Sequence, residues 1–137
     1  MRAIIALGSN LGDPEENINT AANRLRRLSD TPLKSSSIWR TAPVGFEGYV
    51  CEFCNAVVIV ETHLDAEVLL DNLQVIEREM GRSHREGDQY SSRTIDLDII
   101  DFGGQDFVSK TLRLPHPRAH LRRFVLRPLL ELSLIHI

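Results

Sequence analysis

Apolar residues recur along this chain in two rhythms, and the rhythms predict its elements. Arg2 to Leu7 is short, apolar and partly β-branched, as a strand requires. Phe53 to Glu61 is the clearest β-branched run and predicts another strand. In Ser92 to Phe102, Ile95, Leu97 and Ile99 alternate with Thr94, Asp96, Asp98 and Ile100, which predicts a third. Helical spacing appears twice. Ile18, Ala21, Ala22, Leu25 and Leu28 mark one face after an Asp13 cap and a Pro14 start. Val68, Leu69, Asn72, Leu73 and Ile76 mark another, opened by Asp65 and ending near Gly81.

The remainder is punctuation and shorter elements. Gly8 to Asp13 and Ala42 to Gly48 read as turn and loop. A strand is expected around Ser36 to Trp39. Arg82 to Ser92 is polar with no apolar period and reads as a long mobile loop. Gly103 to Asp106 predicts a hairpin turn, with Phe107 to Leu112 as its return strand. A last helical stretch is expected from Arg118 towards Leu132. The order strand, helix, strand, strand, helix, strand predicts an α+β domain with a ferredoxin-like βαββαβ core, its antiparallel sheet covered by helices.

Composition narrows the class. The 137 residues suit a single domain over 1–137. Net charge is −3, which disfavours a nucleic-acid or acidic-membrane surface. The stretch Arg113 to Arg127 nevertheless holds five arginines, two histidines and no acid, which suits a small polyanion. No run of about 18 apolar residues exists, so no membrane span is expected. The chain opens directly on a strand-like run, so no signal peptide is expected. Cys51 and Cys54 lack the second pair a structural zinc site needs and read as packed thiols. A cytoplasmic location is expected.

Asp96 and Asp98 are the strongest chemical signal. Two residues apart on a strand, they share a face with Cα atoms roughly 6.5 Å apart. Adjacent carboxylates repel, and a hard divalent cation relieves this better than one arginine. With Arg93 beside them, the pattern suggests magnesium and phosphate. The plainer reading is a solvated strand face. Asp101 is expected on the opposite face.

Other candidates carry two readings each. Gly8-Ser9-Asn10-Leu11-Gly12 lacks the lysine of a phosphate loop and reads better as a tight turn. Phe53 and Asn55 share a strand face: a ring and an amide for a flat heterocycle, or core and strand end. Leu70, Gln74 and Glu77 share one side of the second helix: a solvated flank, or a wall for a nucleotide base. Arg82, Arg85, His116, Arg118, Arg122 and Arg123 are either phosphate clamps or surface charges.

Several of these strings, in this order, resemble the 6-hydroxymethyl-7,8-dihydropterin pyrophosphokinase family. They are Ala6 to Gly12, Arg40 to Gly45, Phe53 to Ala56, Gln74 to Glu77, Gly81-Arg82, Arg93 to Asp98, Leu114 to Arg118 and Arg123 to Leu129. The R-T-x-D-x-D and P-H-P-R…R-F-V-L-x-P-L strings are the specific ones. The resemblance implies a ferredoxin-like enzyme of folate biosynthesis that moves pyrophosphate from ATP to the pterin's hydroxymethyl oxygen and releases AMP. It implies two Mg²⁺ ions on Asp96 and Asp98, with Arg82 and Arg93 gripping phosphate and His116 and Arg122 also on ATP. It implies Leu70, Gln74 and Glu77 around adenosine. Thr41, Pro43, Val44 and Asn55 would hold the pterin between Phe53 and Phe124. Closure of Arg82 to Ser92 would exclude water.

Two departures stand out. Tyr90-Ser91-Ser92 replace the family's usual Trp-Gly-Pro in a segment one residue longer, so the resemblance assigns no role to His84, Arg85 and Tyr90. The chain also ends at Ile137, where many members continue; a naturally short, a truncated and a foreign tail all stay open. A monomer or weak homodimer is expected. The competing expectation is a non-catalytic ferredoxin-like module that binds nucleotide and pterin.

Overall fold

The computed structural model describes residues 1–41, 53–81, 94–109 and 112–114. Its elements are β1 (Arg2–Ser9), α1 (Pro14–Leu25), a 3-10 turn (Arg26–Leu28), β2 (Lys34–Ser35), β3 (Trp39–Thr41), β4 (Phe53–Glu61), α2 (Ala66–Glu79), β5 (Asp96–Phe102), β6 (Phe107–Val108) and β7 (Arg113–Leu114). Both helices start as the sequence predicts. The Asp13 side chain accepts from the Glu16 amide and the Asp65 side chain from the Val68 amide, each satisfying an orphan N–H of a first turn.

The sheet runs β2-β4-β1-β5, with β3 also paired to β4. Every pairing is antiparallel. With β2 and β3 counted as one broken strand, the order is two-three-one-four, that of a split βαβ pair and a ferredoxin-like core. The chain is therefore α+β, as expected. Helix α1 packs over β1 and β4, and α2 over β5. The main core lies between them: Ile5 and Leu7 of β1, Leu25 of α1, Val58 and Val60 of β4, Leu69 and Leu73 of α2, and Ile99 of β5.

Several expectations needed correction. The turn expected from Gly8 begins later, because β1 runs through Ser9 and Gly8 pairs on both sides. The strand expected at Ser36 to Trp39 is two short strands with a break between them. At the break the Ser36 hydroxyl oxygen accepts from the Val57 amide at 3.0 Å, replacing a ladder bond. The turn at Gly103 and Gly104 is present, with φ of 62° and 71°. The segment after it does not return onto β5, however. Ser109 and Leu112 close a tighter turn, with Ser109 N donating to Leu112 O at 2.7 Å, and this folds β6 onto β7 instead. Finally, the β1–β5 register shifts between Ile4 and Ile5. The extra residue brings Asp101 opposite Ile4, back to the face of Asp96 and Asp98. There its Oδ2 accepts from Gly104 N at 3.0 Å, so it serves the turn at the far end of the strand.

No helix among the described residues is long and apolar enough to cross a membrane. Cys54 is buried, as expected; Cys51, residues 82–92 and the expected last helix lie outside the described residues.

Candidate active site

The sheet's second face, away from α1 and α2, carries the site. Register alone brings its parts together. Gly8 on β1 pairs with Asn55 of β4 on one side and with Asp96 of β5 on the other. Ala6, two residues back, pairs with Asp98. Asn55, Gly8 and Asp96 thus form one row across three strands, and Asp98 lies one step along the same face. A cleft of about 100 Å³ is lined by Ala6, Leu7, Gly8, Phe53, Asn55, Asp96 and Asp98. Both aspartates are half-buried, so their oxygens meet the cleft without being sealed off from water.

Gly8 makes this proximity possible. A Cβ placed there would stand 3.1 Å from Cε1 of Phe53 and 3.2 Å from Oδ1 of Asn55. Only a residue without a side chain lets the ring and the amide settle over the central strand. A glycine inside a strand signals such close approach, and that signal is readable in the sequence; reading Gly8 as a turn residue obscured it.

Asn55 is the most telling group. The residue is 2% exposed, and among the described residues neither its Oδ1 nor its Nδ2 has a hydrogen-bond partner. A buried amide left this way costs free energy, on the order of 1–3 kcal/mol. Its donor and acceptor sit side by side, which matches the edge of a heterocycle carrying the complementary pair.

The α2 stripe resolves into three different environments. Leu70 is partly buried against the core, and Gln74 is exposed. Glu77 is buried at 3% exposure, and its Oε2 accepts from Leu97 N at 3.2 Å. It is neither a solvated flank nor open to the surface. Thr41 stands opposite Phe53 in the β3–β4 register. Arg82, Arg93, His116, Arg122, Pro43, Val44 and Phe124 lie outside the described residues.

A family model described as 7,8-dihydro-6-hydroxymethylpterin-pyrophosphokinase matches residues 4–134. The chain belongs to this pyrophosphokinase family. It is 39% identical over 132 residues to the 2-amino-4-hydroxy-6-hydroxymethyldihydropteridine pyrophosphokinase of Haemophilus influenzae, covering 96% of this chain and 81% of that one. It is 41% identical over 131 residues to the protein of the same name from Bacillus subtilis, covering 95% and 77%. It also matches a mitochondrial folate synthesis bifunctional protein of Arabidopsis thaliana at 39% identity, covering 94% of this chain and 23% of that protein. The pyrophosphokinase family thus named is the one its sequence strings resemble.

Proposed function

We propose that the protein transfers the pyrophosphoryl group of ATP to the hydroxymethyl oxygen of 6-hydroxymethyl-7,8-dihydropterin, in folate biosynthesis. The new bond joins that oxygen to the β-phosphorus. The bond between the β-phosphorus and the α–β bridging oxygen breaks, AMP leaves, and the hydroxyl proton is lost. One observation carries the reading within this family. An unpartnered buried amide, Asn55, and a carboxylate pair, Asp96 and Asp98, line a single cleft.

The residues divide the work by chemistry. Asn55 reads the polar edge of the pterin, and Phe53 offers a face for stacking, with Phe124 as the opposite wall. Thr41, Pro43 and Val44 complete that pocket. Asp96 and Asp98 supply the hard oxygen donors that Mg²⁺ prefers, on one face and on one cleft, and Mg²⁺ binds through one or two carboxylates plus substrate phosphates. Bound there, two Mg²⁺ ions would neutralise charge on the triphosphate. Arg82 and Arg93 grip phosphate oxygens as bidentate donors, with His116 and Arg122 also on the nucleotide. Leu70 and Gln74 border the adenosine, with the buried Glu77 on the same helix.

The test is product analysis. Protein, Mg²⁺, ATP and the dihydropterin should yield AMP and a pterin diphosphate in equal amounts. Formation of ADP, or binding of both ligands without AMP, would overturn the reading; the second result identifies a non-catalytic binding module.

A further inference from the structure

The carboxylate pair sits on a strand that two buried side chains hold by its backbone. On one side, the Ser9 hydroxyl donates to Thr94 O at 2.5 Å. On the other, Glu77 Oε2 accepts from Leu97 N at 3.2 Å. The two contacts bracket Asp96, two residues before it and one after. Ser9 is 1% exposed and Glu77 3%, so neither contact is a chance surface pairing. Ser9 is itself fixed: its Oγ accepts from Nδ2 of Asn17 on α1 at 3.1 Å, and the same Nδ2 donates to Leu11 O at 2.7 Å.

Packing alone does not explain these choices. Strand β5 is the edge of the sheet among the described residues, so a backbone N–H on its outer side finds no strand there. Elsewhere α2 meets the core through Leu69, Leu73 and Ile76. Placing a carboxylate among them is costly unless it serves a specific donor. One donor it serves is the amide of Leu97, between Asp96 and Asp98.

We propose that Ser9, oriented by Asn17, and Glu77 are positioning residues for the metal-binding carboxylates. They fix the peptide units around Asp96 so that the two carboxylates keep the spacing and direction a divalent cation requires. This rests on the proposed function of the cleft. It assigns Glu77 a task distinct from the adenosine contact that the family resemblance implies.

Mn²⁺ binding, followed by electron paramagnetic resonance in the presence of the non-transferable analogue α,β-methylene-ATP, separates the possibilities on the whole protein. Each variant is also melted to confirm cooperative folding. Ser9→Ala and Glu77→Met should weaken Mn²⁺ binding by about 10- to 100-fold, the usual cost of losing a group that orients a ligand. In Ser9→Ala, binding of the analogue without metal should be unchanged. Glu77→Gln keeps an oxygen for the Leu97 amide and should retain wild-type Mn²⁺ affinity. Wild-type Mn²⁺ affinity in folded Ser9→Ala and Glu77→Met would overturn the proposal. Loss of metal-free analogue binding in Glu77→Gln would also overturn it, because the carboxylate itself would then be holding nucleotide. Should Glu77→Met fail to fold, Ser9→Ala, which removes a single oxygen, decides the matter. Failure of the wild type to bind Mn²⁺ with the analogue would instead remove the proposed function, and this inference with it.

Discussion

Asn55 holds its amide in a buried place where no described residue answers it. Such burial costs free energy that a complementary ligand would recover. Two consequences of opposite sign follow. Asn55→Leu should stabilise the ligand-free protein by about 1 kcal/mol, because an apolar side chain has no hydrogen bonds to miss. The same change should weaken pterin binding by on the order of 1–3 kcal/mol, roughly five- to over a hundredfold. Chemical denaturation and calorimetric titration read the two effects separately; a destabilised variant with unchanged pterin affinity would refute the assignment. Gly8→Ala should also weaken pterin binding, since its methyl would press on Phe53 and Asn55 at 3.1 and 3.2 Å. Its melting temperature should fall less than its affinity, because the strand ladders on both sides need no glycine conformation.

At the scale of elements, β5 is both a wall of the core and a wall of the cleft. Leu97 and Ile99 face the helices while Asp96 and Asp98 face the cleft. Asp96→Ala and Asp98→Ala should each lower turnover by at least about 100-fold, given the several kcal/mol that a bound cation contributes to such transfers. Their melting should stay close to wild type, since both side chains are half-exposed. Near-wild-type turnover in either would remove that aspartate from the metal site. This division of β5 was legible from the alternation of Ile95, Leu97 and Ile99 with the acids. So was β4, whose β-branched run spans Phe53 to Glu61, the same limits the structure shows. What was not legible depends on partners distant in sequence. The shift between Ile4 and Ile5 that turns Asp101 around arises in pairing two strands over ninety residues apart. The Ser36 contact that splits β2 from β3 needs Val57 in place. Glu77 looks like any polar helix residue until Leu97 N lies beside it. The role of Phe53 and Asn55 was ambiguous for the same reason: only the row through Gly8 joins them to Asp96.

At the scale of the whole molecule, the sheet separates two tasks. The helix-covered face buries Ile5, Leu7, Leu69 and Leu73 fully and provides rigidity. The other face gathers the buried amide of Asn55 and the carboxylate pair of Asp96 and Asp98 within one cleft. Because the helix side supplies the stability, removing divalent metal should abolish transfer without unfolding the protein. Chelation by EDTA should leave the thermal midpoint unchanged and eliminate AMP formation, and excess Mg²⁺ should restore it. Adding Mg²⁺ with α,β-methylene-ATP at about 100 times its dissociation constant should then stabilise the fold by about 2.7 kcal/mol through mass action. A protein that melts on chelation would show that the metal is structural.

In the proposed function, the row Asn55–Gly8–Asp96 is where the pterin meets the nucleotide. The side-chain amide protons of Asn55, observed in ¹⁵N-labelled protein, test it most directly. On adding 6-hydroxymethylpterin with Mg²⁺ and α,β-methylene-ATP, these two signals should shift strongly and exchange more slowly with water, as a bare donor becomes a bonded one. Pterin binding that leaves the Asn55 signals where they were would contradict the account.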